Sequence, residues 1–81
     1  MIGKNLAENP YERLANAIIL SAVSDYRAAL KKVKRNQKSK TAIDEALQHE
    51  RFFRGLWYQQ LTSVDGEFLI RKLQDEIRQS E

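Results

Sequence analysis

The chain has 81 residues, with 14 Lys and Arg against 11 Asp and Glu, for a formal net charge of +3. At 42% hydrophobic and 31% charged residues it is neither disordered by composition nor membrane-like, and the absence of Cys excludes disulfides, thiolate nucleophiles and Cys-based zinc sites. A chain this short buries only roughly 60–65% of its unfolded surface, enough for one domain and not for a second core.

The net charge conceals a local bias. Residues 31–40 hold six bases, Lys31, Lys32, Lys34, Arg35, Lys38 and Lys40, and no acid, so the rest of the chain carries eight bases and eleven acids. The excess positive charge is one segment. The longest uninterrupted apolar stretch, residues 17–20, is far below the roughly 20 residues a membrane span requires. The first twenty residues also lack a signal peptide's basic start and apolar block, so a cytoplasmic location is expected.

In chain order, residues 1–8 read as a short flexible lead and residues 9–81 as a single helical domain. Asn9-Pro10-Tyr11-Glu12 opens the first helix: Asn9 can accept from an orphan backbone N–H, Pro10 loses nothing at the first helical position, and Glu12 can complete a capping box. Leu14, Ile18, Ala22, Tyr26, Ala29 and Val33 then follow helical spacing to about Asn36. The middle of this helix should enter the core and its basic end should leave it, either projecting or covered by a partner.

Residues 36–40 contain no apolar side chain and form the connection. Ser39 or Thr41 can cap the second helix, whose apolar face includes Ala42, Ala46, Leu47 and Phe53. Gly55 interrupts the pattern, after which Leu56, Trp57 and Leu61 make a short helix or a kinked continuation. Phe53, Trp57 and Leu61, spaced by four, are expected to stack on one side. Asp65 is the best cap for the last helix, with Phe68, Leu69, Leu73 and Ile77 as its apolar stripe. The expected fold is all-α, a small bundle of three main helices plus one short one, with Leu14, Ile18, Ala22, Leu47, Phe53, Trp57, Leu61, Leu69 and Leu73 in the core. On this basis Trp57→Ala should cost roughly 3–5 kcal/mol.

Six bases in ten residues suit phosphate neutralisation, although Lys and Arg at that place also complement the negative C-terminal end of a helix. Arg51 and Arg54 extend the basic set into the second helix. A helix-turn-helix over residues 42–62 is disfavoured, because its second segment would carry no Lys or Arg to hold phosphates. Phe52, Phe53, Trp57, Tyr58 and Phe68 are mostly core material, and one of Phe52, Leu56 or Tyr58 is expected to be an exposed anchor for a protein partner. His49 is the only histidine, with Glu45 four residues before it; no second His or Cys exists to complete a metal site. Ser21, Ser24 and Ser63 have no base in readable reach, and there is no Gly-rich phosphate loop. No enzyme activity, metal or cofactor is expected.

Asn9-Pro10-Tyr11-Glu12, the run Leu14-Ala15-Asn16-Ala17-Ile18-Ile19, then Asp25-Tyr26-Arg27-Ala28-Ala29-Leu30 belong together with a C-terminal group. That group is Phe52-Phe53-Arg54, Trp57, Leu61-Thr62, Asp65-Gly66-Glu67 and Leu69-Ile70-Arg71-Lys72-Leu73. With these residues the chain resembles small helical proteins of unassigned function encoded by phages and integrative or conjugative elements of Gram-positive bacteria. The resemblance covers about residues 9–77. In such proteins Gly55 is often Ser and Gly66 often Pro, differences that should loosen the bend after Phe53 and modestly weaken the start of the last helix.

The resemblance implies a mobile-element accessory protein acting in the cytoplasm of a bacterial host on host or phage machinery, with no active site to carry over. One expectation is a protein that binds a host or phage protein or a nucleoprotein complex, for example as an inhibitor of a nucleic-acid-processing or defence nuclease. Mimicry of nucleic acid is disfavoured, since such mimics are usually acidic. A second is a direct DNA or RNA binder using residues 31–40, and a third is a structural homodimer. The residues expected to contact a partner or nucleic acid are Lys31, Lys32, Lys34, Arg35, Lys38, Lys40, Arg51, Arg54 and Tyr58.

Overall fold

The structure, a computed structural model, describes residues 9–80; the expected lead at residues 1–8 lies outside them. The fold is all-α, with no strand among the described residues. Four helices follow in order: α1 (Pro10–Arg35), α2 (Lys40–Arg54), α3 (Leu56–Leu61) and α4 (Gly66–Gln79).

Local chemistry explains where each begins. The Asn9 side chain accepts from the N–H of Tyr11 at 2.8 Å and of Glu12 at 3.4 Å, and Pro10 occupies the first helical position. Ser39 caps α2, its hydroxyl accepting from the Ala42 N–H at 3.2 Å. Asp65 occupies the N-cap position of α4 but makes no side-chain capping bond.

α2 runs back along the C-terminal half of α1, pairing Glu45 with Lys32 and Glu50 with Tyr26. α4 then runs parallel to α1, bringing Gln74 to Tyr26 and Glu76 to Arg27. The core lies between these three helices. Tyr26, Phe53 and Tyr58 are its largest fully buried side chains, joined by Ala29, Ala46, Ile70 and Leu73. The ring pairs Tyr26–Phe53 and Phe53–Tyr58 both stand 5.6 Å apart, within the range of favourable tilted aromatic packing. Small Ala29 and Ala46 sit in the same cluster, so bulk comes from rings and Ala fills the narrow places between the helices.

Several expected core positions are corrected. Trp57 is 57% exposed, and Tyr58 takes the place at the centre. The cause is Gly55, whose extended backbone (φ −87°, ψ 171°) ends α2 and resets the helical phase, so Phe53, Trp57 and Leu61 do not share a face. Leu47 is exposed because Ala46, one position round the helix, holds the contact line of α2. Leu14 is exposed because α2 packs on the later turns of α1. The first turns of α1 meet only the end of α3 and the following loop, where Tyr11 and Ala15 face Leu61, Thr62 and Ser63 across a shallow concavity. Phe53 and Leu73 are buried as expected, and Ile18, Ala22, Leu61 and Leu69 are half-buried.

Gly66 is more than a weak helix start. A Cβ there would overlap the Phe53 carbonyl oxygen and lie 2.9 Å from its carbonyl carbon. The missing side chain is what lets α4 begin against the end of α2. Phase at Gly55 and close approach at Gly66 together set how α3 is presented.

Candidate functional site: a basic tip and an apolar end

The six clustered bases converge on the turn between α1 and α2. The turn is tightly hydrogen-bonded: Asn36 N–H donates to the Lys32 carbonyl at 2.9 Å, Ser39 N–H to the Asn36 carbonyl at 3.1 Å, and Lys38 N–H to Asn36 Oδ1 at 3.1 Å. The side chains on this scaffold divide into two sets. Lys32 pairs with Glu45 at 3.4 Å. Lys34 reaches α4, where its Nζ donates to the Ile77 carbonyl at 2.8 Å and also to the Ser80 carbonyl. It thereby adds a donor to carbonyls at the C-terminal end of α4, where Ile77 also accepts from the Ser80 N–H at 3.3 Å. Lys31, Arg35, Lys38 and Lys40 are exposed and form no ion pair or side-chain hydrogen bond among the described residues.

The remaining candidates do not join this cluster. Arg54, at the other end of α2, hydrogen-bonds Glu67 and lies 3.5 Å from Glu50. The Glu67 hydrogen bond raises the Arg54 guanidinium above its ordinary range and holds the Glu67 carboxyl below its own. Arg51 is exposed and unpaired among the described residues, three residues from Arg54 and away from the tip. Tyr58 is 1% exposed and cannot be a contact residue. Burial pushes its hydroxyl pKa up, with the nearby Asp65 charge adding to the rise.

Of the three residues expected to include an exposed anchor, Leu56 is the one, at 76% exposure; Phe52 is half-buried against Phe53 and Tyr58. With Trp57 beside it, the short α3 displays two large apolar side chains, and the first half of α1 adds Tyr11, Leu14 and Leu20. The helix-turn-helix reading finds no match in the geometry, because α2 and α3 are separated by Gly55 alone and α3 has only 6 residues.

His49 packs its ring 6.3 Å from that of Tyr26, while Glu45 is engaged with Lys32. No group of three or more His, Cys, Asp or Glu is placed to hold a metal ion among the described residues. A cleft of about 410 Å³ between the end of α2 and the loop before α4 includes Arg54, Asp65 and Glu67. Its one cation is already held by Glu67 and Glu50.

Sequence reasoning missed a polar network inside the bundle. The Tyr26 hydroxyl donates to Glu50 Oε2 at 2.7 Å, and the Gln74 amide donates to the Tyr26 oxygen at 3.2 Å and to the same carboxylate at 3.4 Å. Burial, then the bond to Glu50, drives the Tyr26 pKa well above the ordinary tyrosine range. These residues are 24 and 48 positions apart, and no local spacing announces such a contact. No described helix is long and apolar enough to cross a membrane. No family model, curated protein or solved structure matches this chain.

Proposed function

We propose that the chain acts by binding a protein partner rather than by catalysis, using the apolar end formed by α3 and the first half of α1. In the mobile-element context that its sequence resembles, the partner is a cytoplasmic host or phage protein, and inhibition of a nucleic-acid-processing or defence nuclease is one outcome of such binding.

The observation that carries this proposal is the exposure of the adjacent Leu56 and Trp57 on α3. Tyr58 and Leu61 hold α3 from beneath while the outer face goes uncovered within the described residues. Trp is the residue type most often found at the energetic centre of protein interfaces, and it keeps few rotamers to lose on binding. Leu14, 61% exposed, adds apolar area on the adjoining helix, whose first turns lie beside the end of α3.

Affinity capture from a Gram-positive host lysate tests the proposal. The wild type should retain a defined protein in stoichiometric amount, and a Leu56→Asp, Trp57→Asp variant of unchanged helicity should lose it. Retention of the same proteins by both, or of none by either, would contradict it. The same apolar surface could instead be covered by a second copy of the chain. Sedimentation separates the two: a protein-binding role predicts the mass of one 9.5 kDa chain before partner is added, and a homodimer twice that mass.

A further inference from the structure

We propose that the α1–α2 tip is a second, independent binding surface that engages the phosphate backbone of double-stranded nucleic acid through Lys31, Arg35, Lys38 and Lys40. The division of the six bases is the starting observation. Lys32 and Lys34 have structural work, pairing with Glu45 and closing the end of α4, whereas the other four have no partner among the described residues.

Helix electrostatics accounts for part of the cluster and not for the rest. Near the C-terminal end of α1, Lys31 and Arg35 lie one turn apart on one face, and Arg35, in the last turn, complements the negative end of the helix. Lys38 and Lys40 flank the start of α2, where the exposed N–H groups already present positive partial charge, and the first turn of α2 contains no acid to offset them. Those two charges work against the fold at that place. A polyanion is the ligand that would relieve both the mutual repulsion and the unfavourable helix end.

The surroundings choose among polyanions. Between residues 31 and 41 the only apolar side chain is Val33, which is half-buried, so that segment has no large exposed apolar side chain of the kind a protein interface places at its centre. It also contains no aromatic ring on which an unpaired base could stack. Cations on a hydrogen-bonded turn, with neither a large exposed apolar side chain nor a ring, suit a regular array of phosphates, read without regard to sequence.

The test is a salt titration of binding to a fluorescent random-sequence duplex of about twenty base pairs. Each phosphate neutralised contributes about −0.9 to the slope of log K against log salt, so four contacts give a slope of about −3.6 and a loss of roughly 150-fold between about 50 and 200 mM salt. Combining Lys31→Gln, Arg35→Gln, Lys38→Gln and Lys40→Gln should bring the slope close to zero. Lys34→Gln alone should leave it unchanged. The charge-conserving set Lys31→Arg, Arg35→Lys, Lys38→Arg and Lys40→Arg should keep the slope, which guards against loss of binding through misfolding. The proposal is overturned by no duplex binding at about 50 mM salt, or by a slope that survives the four-residue neutralisation. It is also overturned if single-stranded DNA of equal length, or poly-glutamate standing for an acidic protein surface, binds more tightly than the duplex.

Discussion

Two glycines flank α3, and their backbones meet different surroundings. At Gly55 an added Cβ would stand 3.3 Å from the Arg51 carbonyl oxygen and 3.5 Å from that of Phe52, tight but close to ordinary contact. At Gly66 it would overlap the Phe53 carbonyl outright. Gly55→Ala should therefore change stability by less than about 1 kcal/mol, the entropic gain offsetting the crowding. Gly66→Ala should cost about 1–3 kcal/mol as α4 is pushed from α2. Denaturant unfolding of the two variants separates them.

Exposure makes a similar distinction among the aromatics. Trp57→Ala should lower stability by less than about 1 kcal/mol, because the ring is mostly in water, whereas Tyr58→Ala should cost about 3–5 kcal/mol. Tyr26→Phe removes the donor to Glu50 and should cost about 1–3 kcal/mol. Tyr58→Phe should be neutral or stabilising, since its buried hydroxyl has no hydrogen-bond partner among the described residues. The two tyrosines also set an alkaline limit. Both hydroxyl pKa values are raised in the folded state. Their stabilising contribution is present below about pH 10, the unfolded tyrosine value, and is lost as pH rises above it, because the unfolded chain ionises first. The melting temperature should fall above about pH 10, and fall less steeply in Tyr26→Phe.

Among the elements, helix starts were the most legible part of the sequence. Asn9 and Ser39 are found capping as their side-chain chemistry implies, and the extents of α1, α2 and α4 follow from apolar periodicity. What periodicity could not convey was phase across a break. Phe53, Trp57 and Leu61 stack only if the helix is continuous, and the extended backbone at Gly55 makes it two helices. The reach of one element over another was equally hidden: Leu14 fits the periodic row of α1, yet α2 is 11 residues shorter than α1 and does not cover its first turns.

The same element-level electrostatics yields a prediction at the start of α2. Lys40→Glu replaces a charge that opposes the helix dipole with one that favours it, and should stabilise the fold by about 0.3–1 kcal/mol, seen as a higher melting temperature at low salt. Lys34→Ala should do the reverse at another helix end. Without its ammonium the carbonyls of Ile77 and Ser80 lose a donor, and hydrogen exchange in the last turn of α4 should quicken while that of α2 stays unchanged.

At the scale of the molecule, a body 52 × 27 × 17 Å in extent carries its two unusual surfaces at opposite ends of α1. The tip is the end where α1, α2 and α4 close on one another, and its basic character was legible directly as a run of charges. Which of those charges are free was not, because Lys32 and Lys34 are engaged by Glu45, Ile77 and Ser80, 13 to 46 residues away. The sequence alone leaves the basic end of α1 either projecting or covered by a partner; within the described residues α2 and the end of α4 lie against it, and the other end carries exposed Tyr11, Leu14 and Leu20.

In the proposed mode of binding, Trp57 faces solvent in the free protein and becomes the centre of an interface when partner binds. Trp57 is the only tryptophan, so fluorine-labelled tryptophan gives a single resonance whose shift between light and heavy water reports its contact with solvent. The free protein should show a large solvent shift that is lost when the captured partner is added. A small shift in the free protein, or a large one that persists in the complex, would contradict it.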